Sequence, residues 1–138
     1  MKKTIEKMEK KDLIEEARRY VDNAHKTLKD NENYDPDTRC YDDKKYVRSA
    51  GHYLWHAVML ALDSVFHVRE DRRTRIDVDA YREAVRKRDR KLLALLNTSY
   101  QILHLHMGYD GILLKDSCDT GFHVTNDIID RCERLRAS

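Results

Sequence analysis

The sequence predicts an all-α fold, an up-down four-helix bundle, and three observations carry that expectation. Helix breakers are scarce, with four glycines and a single proline, Pro36, in 138 residues. Charged residues make up 38% of the chain and apolar residues 41%, with Glu, Lys, Arg, Leu and Ala prominent, which suits long amphipathic helices. Apolar residues also recur at three- and four-residue spacing in four stretches with fairly short connections.

The first stretch carries Ile14, Ala17, Val21, Ala24 and Leu28 on one helical face. Asp12 followed by Glu15 resembles a capping box, so the helix is expected to start there. Ile5 and Met8 fall off that face, so residues 1–11 are read as an N-terminal extension of a single domain over 12–138. "NENYDPDTRCYD" is a loop, punctuated by Asn, Asp and the one proline.

The second helix should run from about Asp43 to Val68, with Val47, Ala50, Leu54, Ala57, Ala61 and Val65 as its principal stripe. Gly51 lies inside it at a cost of about 1 kcal/mol relative to Ala, which a close helix crossing would explain. A third helical region is expected from about Val78 to Tyr109, with a break or kink at "RKRDRK". Its stripe is Leu92, Leu96, Tyr100, Leu103 and Met107. The fourth helix is expected over about Asp119–Leu135, with Val124, Ile128, Cys132 and Leu135 inward.

The charge balance bounds the function. Lys+Arg is 27 against 25 Asp+Glu, so the net charge of +2 does not imply nucleic acid, a membrane or an acidic partner. Cys40, Cys118 and Cys132 are odd in number and lack CxxC spacing, as expected of reduced thiols in a cytoplasmic protein. No apolar run approaches the roughly 20 residues needed to cross a bilayer, so no membrane role is expected. No Gly-rich phosphate loop or recognisable nucleophile motif occurs, and no catalytic residue or cofactor is assigned.

Four groups of residues are candidates for chemistry. "YQILHLHMGYDG" holds His104, His106, Tyr109 and Asp110, read first as the end of a packed helix and second as a pocket. On an α-helix the two histidines lie about 200° apart, so they cannot share one metal from one face. His106 is expected to be the more buried, among Leu95, Ile102 and Leu103. His52 and His56 have the i, i+4 spacing of zinc enzymes, but Tyr53 replaces the glutamate of HExxH and no third ligand follows. They are read as part of a polar back face with Asp63 and His67, and no metal site is expected.

Trp55, Met59 and Phe66 flank that polar strip, and an uncovered set of this kind predicts a homodimer interface, or cover from the 31–42 loop. Finally, residues 69–91 hold ten Lys/Arg against six acids, which could follow an RNA backbone or form a solvated helix surface.

"EEARRYVDNAHKTL" and "YVRSAGHYLWHAVMLALDSVF" together resemble HEPN-like domains, small helical bundles found beside nucleotidyltransferases and in toxin–antitoxin pairs. "SAGHYLWHA" carries most of the likeness. "YQILHLHMGYDG" with "DTGFHVTNDII" resembles the closing half of an uncharacterised bacterial group of such bundles, so the likeness spans residues 12–136.

Catalytic members are RNases with an Arg-x(4–6)-His motif near the third helix, which this chain lacks there. Arg19 and His25 match the spacing but sit on the first helix. The resemblance thus implies the fold, dimerisation and a non-catalytic interaction role, with a nucleotidyltransferase as a possible protein partner. The alternatives are a metal-dependent or RNA-cleaving enzyme using His52/His56 or the 104–110 cluster, and an RNA-binding structural protein using residues 69–91.

Overall fold

A computed structural model describes residues 2–69 and 75–138, with side chains described from Leu13 onward. The fold is all-α. The helices are α1 (Lys2–Asn31), α2 (Lys44–Asp63), α3 (Val78–Arg88), α4 (Arg90–Ser99) and α5 (Lys115–Ala137), and a π-helix over Tyr100–Tyr109 continues α4. Among the described residues the only β pairing is two isolated bridges, Asp35 with Cys40 and Cys40 with Leu114.

The helix boundaries follow from local chemistry. α1 runs unbroken through Asp12, so the sequence start signal there does not act as a terminus. The side-chain packing of the 1–11 extension lies outside the described residues. Asp43 opens α2 by accepting the Lys45 N–H at 2.9 Å. α2 closes at Ser64, short of the expected Val68, where the backbone N–H bonds to the Leu60 and Ala61 carbonyls.

Asp89 produces the break expected at "RKRDRK". Its backbone is extended, its N–H closes α3 on the Val85 carbonyl, and its carboxylate opens α4 by accepting the Leu92 N–H at 3.0 Å. The other carboxylate oxygen accepts from Arg131 Nε of α5 at 2.7 Å, and this bond holds the Asp89 carboxyl below the usual range.

α2 is the central element, packed by α1, the π-helix and α5, while α3 packs on α4 and α4 on α5. From Ala57 to Leu62 every α2 residue is buried. Such an all-round apolar segment belongs inside a core rather than on its face.

α2 crosses the π-helix closely. A Cβ on Gly51 would lie 2.6 Å from the Gly108 nitrogen and 2.9 Å from the Leu103 carbonyl oxygen. This is the close approach that the mid-helix glycine predicts. Gly111, at φ +66°, is the left-handed stop that ends the helix, and its N–H returns to the Met107 carbonyl.

Trp55, Met59 and Phe66 are buried within the single chain, at 8%, 0% and 8% exposure. The indole of Trp55 meets Tyr100 edge-on at 5.7 Å and the His104 ring at 5.5 Å. The shoulder read as a dimer interface is therefore closed by the chain itself, and its apolar area supplies no motive for a partner. For Trp55 the sequence pattern could not show this, because its cover comes from a segment some 45 residues away.

Candidate functional site

The π-helix separates the four residues of the "YQILHLHMGYDG" candidate. Its backbone bonds reach five residues back, as from the Asp110 N–H to the Leu105 carbonyl at 2.9 Å. Each residue then advances by a smaller angle than in an α-helix, so a projection at 100° per residue misplaces the side chains. His106 is exposed, as is His104, which corrects the expectation that His106 is the more buried. His104 lies against Tyr100, with ring centroids 5.2 Å apart, and against Trp55. Tyr109 stands in solvent at 78% exposure.

The end of the π-helix does form a cavity. It has a volume of about 420 Å³ and is lined by Lys44, His106, Asp110, Gly111, Ile112 and Leu113. His106 and Asp110 are thus brought together, while His104 and Tyr109 are not among the lining residues. Lys44, from the first turn of α2, completes the polar lining and was invisible from sequence, being one lysine among many. The 33–43 loop braces the site: Tyr41 N–H bonds to the Leu113 carbonyl at 2.8 Å and Lys115 N–H to the Arg39 carbonyl at 3.0 Å.

The two histidines on α2 meet different neighbours. His52 packs its ring over Gly108, whose Cβ would lie 3.5 Å from it, and the His56 ring lies tilted against Tyr20 of α1 with centroids 4.5 Å apart. Among the described residues no group of three or more His, Cys, Asp or Glu is placed to hold a metal. His25, half of the chance Arg-x-His match, stacks on Phe122 at 3.8 Å.

Asp63 leaves the polar back face to which the sequence assigned it. Its carboxylate accepts from the hydroxyl of fully buried Tyr81 and from Arg69, at 2.6 Å and 3.0 Å, with the Arg69 and Asp63 side chains 7% and 10% exposed. Burial and the Asp63 bond push the Tyr81 hydroxyl well above its ordinary range.

Within the basic 69–91 stretch, Arg82 bonds Asp79, Arg86 bonds Glu83, and Arg69 bonds Asp63. Arg82 also lies over the Tyr100 ring at 4.9 Å. The Arg82 and Arg86 pairs are local pairs on the surface of α3, the Arg69 pair is buried, and Glu70, Asp71, Arg72 and Arg73 lie outside the described residues.

A carboxyl pair at the head of the 33–43 loop was also missed from sequence. Glu32 Oε1 accepts the Asp43 N–H at 2.8 Å, while its Oε2 is buried without a hydrogen-bond partner. Burial pushes the Glu32 carboxyl up to about 7, the Asp43 N–H works against this, and neighbouring Asp42 adds to the rise. Asp42 accepts two bonds from Asn33, which hold its own carboxyl low. A proton on Glu32 turns the orphan oxygen into a donor facing a carboxylate. Loop carboxylates are abundant here, and no local motif marks this one.

The thiols are also placed. Cys118 and Cys132 are buried, and burial pushes each up to about 12, while Cys40 is half-buried; all three are free. No described helix is long and apolar enough to cross a membrane.

Residues 12–134 match the family described as domain of unknown function (DUF5618). The chain belongs to that family. A solved structure of a protein of unknown function from Dyadobacter fermentans is similar to it at 34% identity, with a TM-score of 0.80. That likeness covers 91% of this chain and 96% of the other. No curated protein matches. The family span takes in every part of the cavity and both carboxyl clusters, from Glu32 to Tyr81.

Proposed function

We propose that this member of the family is a non-catalytic, HEPN-like binding module whose recognition site is the cavity at the end of the π-helix. In this reading α1, α2, α4 with its π continuation, and α5 are the four members of an up-down bundle, and α3 is an added helix on α4. The observation that carries it is the cavity itself. Its size falls within the range of small-ligand sites, its wall includes Ile112 and Leu113, and Lys44, His106 and Asp110 supply a few polar groups. The irregular winding that leads to it is of the kind often found at functional sites. The HEPN likeness extends the reading to a protein partner of the nucleotidyltransferase kind and a cytoplasmic setting.

A thermal-shift screen against metabolites and nucleotides, with Lys44→Ala and Asp110→Ala as controls, tests the reading. Ligands that stabilise the parent chain and lose that effect in both variants support it. Turnover of RNA or of any ligand by the purified protein would replace it with an enzymatic one. RNA binding through residues 69–91 is the second reading, favoured by the Arg82–Tyr100 stack. It requires affinity that falls steeply with salt.

A further inference from the structure

The cavity at the end of the π-helix carries charges of both signs that the protein itself leaves unused. Lys44, His106 and Asp110 line it, and none makes an ion pair or side-chain hydrogen bond with another described residue. Elsewhere, charged side chains do find each other: Lys115 with Asp119, Arg86 with Glu83, Arg18 with Glu133. Between these groups lies Gly111, buried and at φ +66°. A Cβ there would strike Lys44 Cβ at 2.9 Å and meet Arg48 Nε at 3.1 Å, so the position stays without a side chain. The Arg48 Nε is engaged, donating to the Tyr109 carbonyl at 3.2 Å. Ile112 and Leu113 then offer half-buried apolar surface beside it.

A lone anion would meet Asp110, and a lone cation would meet Lys44. A purely apolar molecule would leave all three polar groups unanswered. A molecule with both charges at one end of an apolar body meets every one of them.

Building on the reading of this cavity as the recognition site, we propose that it binds a small zwitterionic amphiphile, the class of a free apolar α-amino acid. Its carboxylate lies on the Lys44 ammonium and the His106 ring, its ammonium on Asp110, and its aliphatic chain on Ile112 and Leu113. The cavity is open, so these contacts are partly solvated and each is worth little. Affinity is therefore expected in the millimolar range, with the two charged contacts contributing together.

Amide spectra of the full chain, titrated with leucine, 4-methylpentanoate and isopentylamine, test this. The two analogues each remove one charge and keep the apolar body. Leucine is expected to shift the Gly111, Ile112 and Leu113 amides, and each analogue to bind at least threefold more weakly. Lys44→Ala and Asp110→Ala are exposed changes that leave the fold intact, and each should weaken leucine at least threefold. Lys44→Arg should restore it.

Unmoved amides at millimolar leucine overturn the proposal, as does equal binding of all three probes. The fate of the broader reading is separate. If the metabolite screen finds a different ligand that depends on Lys44 and Asp110, the cavity remains the recognition site and only the ligand class falls. If neither experiment perturbs these residues, both readings fall.

Discussion

The hydroxyl of Tyr81, at the start of α3, donates to the carboxylate of Asp63, at the end of α2, and Arg69 holds the other oxygen of the same carboxylate. One buried anion therefore joins two helices that are 14 residues apart at their facing ends. Removing the Tyr81 hydroxyl by Tyr81→Phe leaves Asp63 one donor short and should cost about 1–3 kcal/mol in urea unfolding. Asp63→Ala should cost more, about 3–5 kcal/mol, because it leaves the Arg69 guanidinium buried without this partner. A smaller loss for Asp63→Ala than for Tyr81→Phe would contradict this arrangement.

Glu32 makes stability depend on pH in a defined direction. The folded state keeps a proton to about 7, whereas the group ordinarily releases it near 4.5. Between these values the folded chain binds more protons than the unfolded one, so stability falls as pH rises and levels off above about 7. Solvent reaches part of this residue, so the fall should be on the order of 1 kcal/mol rather than the full value of the shift. Glu32→Gln imitates the protonated form and should remove the decline. Chemical unfolding from pH 5 to 8 measures it, and an unchanged slope in the variant would assign the dependence to other groups.

Gly51→Ala sets two effects against each other. Helix propensity favours alanine by about 1 kcal/mol. The added methyl, however, sits 2.6 Å from backbone nitrogen and 2.9 Å from backbone oxygen, neither of which can swing aside. Overpacking of this kind costs about 1–3 kcal/mol, so the variant should be net destabilised. Thermal melts of the variant and parent decide, and a raised midpoint would mean the crossing opens without penalty.

The two histidines of the π-helix should separate in the same melts. His104 contacts the Trp55 and Tyr100 rings, so His104→Ala should cost about 0.5–1.5 kcal/mol. His106 faces the open cavity, and His106→Ala should stay within about 0.5 kcal/mol. The reverse order would place the buried side of the π-helix elsewhere.

The core stripes were legible in the sequence because α-helical periodicity governs α1, α2 and α5. Leu54, Ala57 and Ala61 in α2, and Val124, Ile128 and Cys132 in α5, are all buried as their spacing predicts. Gly51 and the break at Asp89 were legible for the same reason, as departures from a regular pattern. Legibility ended where geometry ceased to be α-helical or local. The π winding moved His106 outward, and no residue in "YQILHLHMGYDG" announces that winding. Asp63 read as surface because its partners Arg69 and Tyr81 lie beyond the end of its own helix. Lys44 joined His106 and Asp110 only through the crossing of two elements distant in the chain.

The π winding also ties the local backbone to its neighbours. An isolated segment from Arg90 to Tyr109 has every reason to adopt the tighter α register, since nothing in its own residues rewards the wider one. What distinguishes the two registers is the seat of Gly108 against Gly51, available only once α2 is in place. The π register is therefore expected to depend on docking against α2, so that a peptide of residues 90–109 alone should show α-helical rather than π backbone bonds. The cavity, formed by the last turn of that stretch, is then expected to depend on the same docking.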